Sequence, residues 1–165
     1  GPHAFSAFTA SVLQLRPESV GHLKLVSANA DDHPEIHPNY LATETDQNTI
    51  VKGIQIARKI AQFEPLKAHV TEEYQPGHEV GMDDYDATLN WARNTAVTIY
   101  HPTGTCKMGS DPMAVVDHRL RVHGLQGLRV ADASIMPVIT SGNTNAPAIM
   151  IGEKVSDMIL EDAAS

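Results

Sequence analysis

The sequence predicts an α+β fold: an antiparallel sheet with flanking helices, then a strand and a last helix that belong to another domain. Three observations carry this. Two extended runs, Ala7 to Leu15 and His22 to Ser27, flank a segment holding Pro17 and Gly21, the usual punctuation between strands. A long segment, roughly Asp46 to Phe63, has helical periodicity. Finally, Leu128-Arg129-Val130-Ala131 reads as a short strand ending at Asp132, and Ala146 to Leu160 as a helix after a loop. One strand and one helix cannot complete a parallel sheet, so their partners must come from elsewhere.

Each element has a local reason. In the second run Leu23 and Leu25 alternate with His22 and Lys24, as in a half-buried strand. Ala30 to Tyr40, rich in Asp, His and Pro, reads as irregular. Thr43, Thr45 and Asp46 offer capping oxygens before a helix that places Ile50, Ile54, Ala57 and Ala61 on one face, with Lys52, Gln55, Arg58 and Lys59 mostly elsewhere. Asp83 or Asp84 caps a second helix through Leu89, Trp91 and Ala96, which Pro102 stops soon after. His101 then lies beyond its end, in a loop. Pro147 in the first turn, with Asn145 beside it, marks the start of the last helix. The expected division is 5–99 for one domain, 100–114 for a functional loop and 115–160 for the segment that joins another domain. The opening Gly1-Pro2-His3 has the look of a remnant of tag removal, assigned to residues 1–4.

Composition narrows the function. The chain of 165 residues has 42% apolar content, enough for a globular core, and a formal charge of −8 from 20 acidic and 12 basic residues. That balance opposes binding to nucleic acid or to an anionic membrane surface, both of which need a basic patch. No apolar stretch approaches the ~20 residues of a membrane span. A lone Cys106 cannot form an internal disulfide, which favours the cytoplasm while admitting a secreted fold that needs no staple.

Chemistry concentrates in two strings, Tyr100-His101-Pro102-Thr103-Gly104-Thr105-Cys106-Lys107-Met108-Gly109 and Ser141-Gly142-Asn143-Thr144-Asn145-Ala146-Pro147, which set His101 and Asn145 44 residues apart. Oxidising an alcohol requires removal of the hydroxyl proton as hydride leaves carbon, and a neutral imidazole, with a reference pKa near ~6.5, suits that task. An amide beside it would hydrogen-bond the oxygen as charge develops there. Taken singly, any of the nine histidines is more often a surface residue, and Asn145 alone reads as a helix cap. Asn143 is expected to hold the loop through side-chain to backbone bonds. Cys106 lacks a histidine or cysteine beside it for thiol or zinc chemistry. His33 and His37 have metal-pair spacing, but Pro34 and Pro38 oppose the helix this needs, so no metal site is expected.

The two strings resemble the C-terminal part of the glucose-methanol-choline (GMC) oxidoreductases. The likeness runs from Leu15-Arg16-Pro17-Glu18-Ser19 through His37-Pro38-Asn39-Tyr40-Leu41 to Ile149-Met150-Ile151-Gly152-Glu153-Lys154, almost the whole chain. It implies an FAD-dependent oxidoreductase acting on a small-molecule alcohol. His101 would be the base, Asn145 would stabilise the alkoxide, and hydride would pass to flavin N5. It also implies that residues 5–99 are part of the substrate-binding domain and that 115–160 contribute to the FAD-binding domain. The last helix would point its N-terminus at the flavin, placing Asn145, Ala146 and Pro147 there. Leu125 to Ser134 resembles the family's segment along the ribityl-pyrophosphate part of FAD, which makes Asp132 and Ala133 cofactor-binding candidates.

No Gly-x-Gly-x-x-Gly fingerprint occurs. The resemblance therefore implies that an N-terminal part holds most of the FAD, that this segment alone is inactive, and that self-association into a homo-oligomer could cover apolar surface left bare. Thr105 to Gly109 and Arg121 to Leu125 look most like choline and aliphatic alcohol dehydrogenases. The electron acceptor would be a quinone or oxygen, with membrane association only through that acceptor. The rival reading is a non-catalytic binding or assembly module with an inherited GMC-like sequence.

Overall fold

A computed structural model describes residues 3–164, so the first two residues of the suspected tag remnant lie outside the described residues. The chain forms two compact units: residues up to Gly21 with Pro38–Val97, and His22–His37 with the chain from Thr98 onward.

The first unit is built on α1 (Glu44–Ile60) and α2 (Tyr85–Thr95), which pack together. Thr43 precedes α1 and its hydroxyl accepts from the Asp46 N–H at 3.3 Å. Glu44 and Asp46 in the first turn and Arg58 and Lys59 in the last complement the helix dipole. Asp84, rather than Asp83, caps α2 by accepting from the Ala87 N–H at 2.9 Å. Val51, Leu89, Ala92 and Thr88 are buried here.

Asp46 is only 2% exposed, and its carboxylate accepts from Gln14 Nε2 at 2.7 Å, the Glu18 N–H at 2.9 Å and the Ser19 N–H at 2.8 Å. Burial pushes its pKa up, but the hydrogen bonds from Glu18, Ser19 and Gln14 outweigh it and hold the pKa at about 2. Ser19 Oγ in turn accepts from the Ala42 and Thr43 N–H groups at 2.9 and 3.3 Å. The segment around Arg16 to Ser19 is thus stitched to the start of α1.

The sheet is smaller than expected. Ala7 to Leu15 is extended but is no strand. It meets a helix instead of a sheet edge: a Cβ on Gly53 of α1 would lie 2.3 Å from Val12 Cγ1. The strands that do form are β1 (His22–Lys24) and β2 (Glu35–His37), the latter inside the stretch expected to be irregular. They pair antiparallel, with His22 opposite His37, Leu23 opposite Ile36 and Lys24 opposite Glu35. Stacked imidazoles of His22 and His37, 4.6 Å between centroids, and opposite charges at Lys24 and Glu35 suit the cross-strand positions.

In the rest of the second unit, Val116, Leu120, Ile135 and Met136 pack with Ile151 and Val155 of α3 (Asn145–Ala164). Leu128 to Ala131, expected as a strand, makes only an isolated antiparallel bridge, Arg121 with Arg129. Its neighbours turn too soon to offer an edge: Leu120, Gly124 and Gly127 all have positive φ. Two arginines grip the far end of α3. Arg119 donates to the Met158 carbonyl at 3.0 Å, to Glu161 at 3.1 Å and to Asp162 at 2.7 Å, and Arg129 also donates to Asp162. Hydrogen bonds from Arg129 and then Arg119 lower the Asp162 pKa. Ile149, Met150 and Leu160 of α3 are 60%, 54% and 69% exposed. Among the described residues, no helix is long and apolar enough to cross a membrane.

Candidate active site

His101 follows an unusual backbone step. Tyr100 has φ 63, the left-handed region that a bulky side chain rarely enters, and its N–H donates to Thr98 Oγ1 at 3.0 Å. The loop after His101 is tied down by backbone bonds from Cys106 N to the Ser134 carbonyl at 3.0 Å and from Met108 N to the Ile135 carbonyl at 2.7 Å. Gly104 permits this approach. Its φ is +85 and a Cβ would meet the Met136 carbonyl oxygen at 3.3 Å.

The 3-10 turn that receives this loop, Ala133–Ile135, starts at Asp132. The Asp132 carboxylate accepts from the Ser134 N–H at 2.7 Å, so it caps its own turn, while Ala133 is half-buried beside the core. Nearby, a hydrogen bond from Lys107 lowers the Asp111 pKa.

At the start of α3 the chain turns back on His101. Thr144 Oγ1 lies 2.9 Å from His101 Nδ1, and Asn143 Nδ2 lies 2.8 Å from His101 Nε2. A hydroxyl can donate or accept, so the Thr144 contact holds the ring in either neutral tautomer. The Thr144 N–H also donates to Nδ1 at 3.5 Å, the outer limit for a hydrogen bond. Thr144 is buried, 8% exposed, and His101 is half-buried, with Asn143 exposed at the rim.

The structure therefore sets Asn143, rather than Asn145, within hydrogen-bonding distance of His101. Asn145 is the first residue of α3, exposed, and among the described residues its side chain has no hydrogen bond. The N–H groups of Asn145 and Ala146 have no intrahelical partner, Pro147 has none to offer, and no acidic residue stands in this first turn. A helix start of this kind attracts negative charge.

The GMC oxidoreductase family model for the C-terminal region matches residues 17–152. The chain belongs to the GMC oxidoreductase family. It is 48% identical to mitochondrial choline dehydrogenase of Mus musculus over 161 residues, 96% of this chain and 26% of that protein. It is 46% identical to an acceptor-dependent alcohol dehydrogenase of Pseudomonas putida over 153 residues, 93% of this chain and 27% of that protein. Among solved structures, pyridoxine 4-oxidase from Mesorbium loti matches with a TM-score of 0.80 and 32% identity, covering 87% of this chain and 28% of that one. A formate oxidase of Aspergillus oryzae RIB40, studied for its FAD modification, matches with a TM-score of 0.82 and 32% identity, covering 90% and 26%. This GMC chain spans about a quarter of the length of the curated relatives, 26% and 27% for the two described.

In sequence, Asn143 has only the part of a loop brace and Thr144 no part, whereas both reach His101 in the structure. A usable signal existed: a helix opening at Asn145 leaves the two preceding residues outside it, free to turn toward another segment.

Proposed function

We propose that this chain is the catalytic C-terminal region of an FAD-dependent alcohol dehydrogenase acting on a choline-like or aliphatic alcohol. The observation that carries the proposal is the clasp on His101, with Thr144 on Nδ1 at 2.9 Å and Asn143 facing Nε2 at 2.8 Å, beside an open helix start. The substrate hydroxyl would take the place of the Asn143 contact on Nε2, and an unprotonated Nε2 would receive its proton. The Asn143 amide would then donate to the substrate oxygen as negative charge develops. Bound FAD would supply the two-electron acceptor for the hydride that leaves the alcohol carbon as the carbonyl forms.

The residues fit that cofactor in one respect: the N–H groups of Asn145 and Ala146, with no acidic neighbour in the turn, suit the electron-rich edge of a flavin. Asp132 is less available, since its carboxylate already accepts from the Ser134 N–H. On this reading residues 5–99 belong to a substrate-binding domain, and 115–160 complete the FAD-binding domain, against which exposed Ile149, Met150 and Leu160 would pack. The two named curated relatives, a choline dehydrogenase and an alcohol dehydrogenase, support the substrate class. The test is turnover of choline and of aliphatic alcohols by the whole enzyme with His101→Ala. We expect a loss of about 10²- to 10⁴-fold with flavin still bound, and near-normal turnover would remove His101 from the mechanism.

A further inference from the structure

We propose that Thr98 is a positioning residue for His101: its hydroxyl holds Tyr100 in the left-handed backbone conformation that turns the chain and aims the imidazole. The inference rests on the reading of His101 as the base. Tyr100 has φ 63, which a bulky side chain rarely adopts. Such a conformation persists only where its surroundings hold it. The tyrosine side chain is 80% exposed, so packing does not supply the hold. Instead the Tyr100 N–H donates to Thr98 Oγ1 at 3.0 Å, the local turn in which a threonine hydroxyl takes the N–H two residues on. A backbone N–H can only donate, so the direction of this bond is fixed. Among the described residues, the backbone from Thr98 to Thr105 makes no other hydrogen bond.

Beyond His101 the chain is next anchored at the Cys106 and Met108 N–H groups. Loss of the Thr98 acceptor lets Tyr100 return to the ordinary helical or extended region, a change in φ of roughly 120° or more. That rotation falls one residue before the imidazole. It would carry His101 off the 2.9 and 2.8 Å contacts with Thr144 and Asn143 that define the site. Thr98 thus acts through one backbone step: among the described residues, the ring itself is hydrogen-bonded by Asn143 and Thr144 alone.

The test uses the whole enzyme. Thr98→Val removes the acceptor at nearly constant volume, and Thr98→Ser restores it without the methyl group. In the Val variant we expect kcat to fall about 10- to 100-fold, with KM and bound flavin changed less than about 3-fold, and in the Ser variant to recover to within about 3-fold. In a Tyr100→Gly background, where positive φ carries no penalty, the same Thr98→Val change should cost less than about 3-fold. A crystal structure of the Val variant should show Tyr100 out of the positive-φ region and His101 off Thr144. Normal kcat in the Val variant would overturn the proposal, as would a Ser variant as impaired as the Val variant, an equal loss in both backgrounds, or a Val structure with Tyr100 still near φ 63. If Thr98→Val does not fold, Thr98→Ala against Thr98→Ser makes the same comparison. His101→Ala separates the two readings. Near-normal turnover there would sink the base assignment, whereas the backbone seen in the Thr98 variants still decides the positioning.

Discussion

Two helices of this chain begin after a threonine, and the two threonines do opposite things. Thr43 accepts from the Asp46 N–H at the third residue of α1, and Asp46 itself takes three further donors in a buried carboxylate. Thr144 stands at the same place before α3, but the third residue there is Pro147, and the hydroxyl goes to His101. The first turn of α1 holds Glu44 and Asp46; that of α3 holds no acid. One helix start is closed by its own side chains, and the other is left with open N–H groups and a hydroxyl spent on a histidine. The difference lies in the first turn, where Asp46 offers an N–H and a carboxylate and Pro147 offers neither, and it separates a structural cap from a candidate site.

The comparison can be attacked at each end, and the largest expected effect is the loss of turnover stated for His101→Ala, which removes the ring that the start of α3 holds. At α1, Asp46→Ala leaves the Glu18 and Ser19 N–H groups without an acceptor, and should cost about 3 kcal/mol, read as a drop in thermal midpoint with little change in chemistry per folded molecule. The same carboxylate sets an acid dependence. Its folded pKa is depressed from 3.8 to about 2, so its contribution is full above 3.8 and is lost as pH falls through about 2. That contribution is about 2 kcal/mol, and Asp46→Asn should flatten the acid limb of the stability curve by this amount.

Smaller effects sharpen the contrast. Thr43→Ala should cost about 1 kcal/mol and speed amide exchange in the first turn of α1. Thr144→Ala should leave exchange in the first turn of α3 nearly unchanged, because no cap is lost there. Pro147→Ala supplies the missing N–H. We expect it to draw the Thr144 hydroxyl partly away from His101, lowering kcat/KM a few fold while slightly strengthening the start of α3. If both threonines proved equal by amide exchange, the contrast would fail.

Much of this was legible in the sequence for reasons that are local. Periodicity and capping oxygens placed α1 and α2, with Thr43 and Asp84 among the residues offered as caps, and Pro147 marked the start of α3. The sheet was less legible because extended backbone does not say what it will lie against. Val12 lies on Gly53 of a helix, whereas Ile36, in a stretch rich in turn-forming residues, found a strand opposite Leu23. At the site, His101 stood out because its string is distinctive. The choice between Asn143 and Asn145 did not, since both sit in one motif and only the entry angle of a helix decides which turns toward the ring.

The arginine grip at the far end of α3 has a consequence for all of this. A helix advances about 1.5 Å and turns about 100° per residue, so the span from Thr144 to Glu161 makes a rod roughly 25 Å long. Arg119 and Arg129, bonded to Met158, Glu161 and Asp162, set the angle to which that rod is wound, as a tuning peg sets a string. A slip of one residue at the peg would swing the other end through about a quarter turn and carry the threonine hydroxyl off the imidazole it holds.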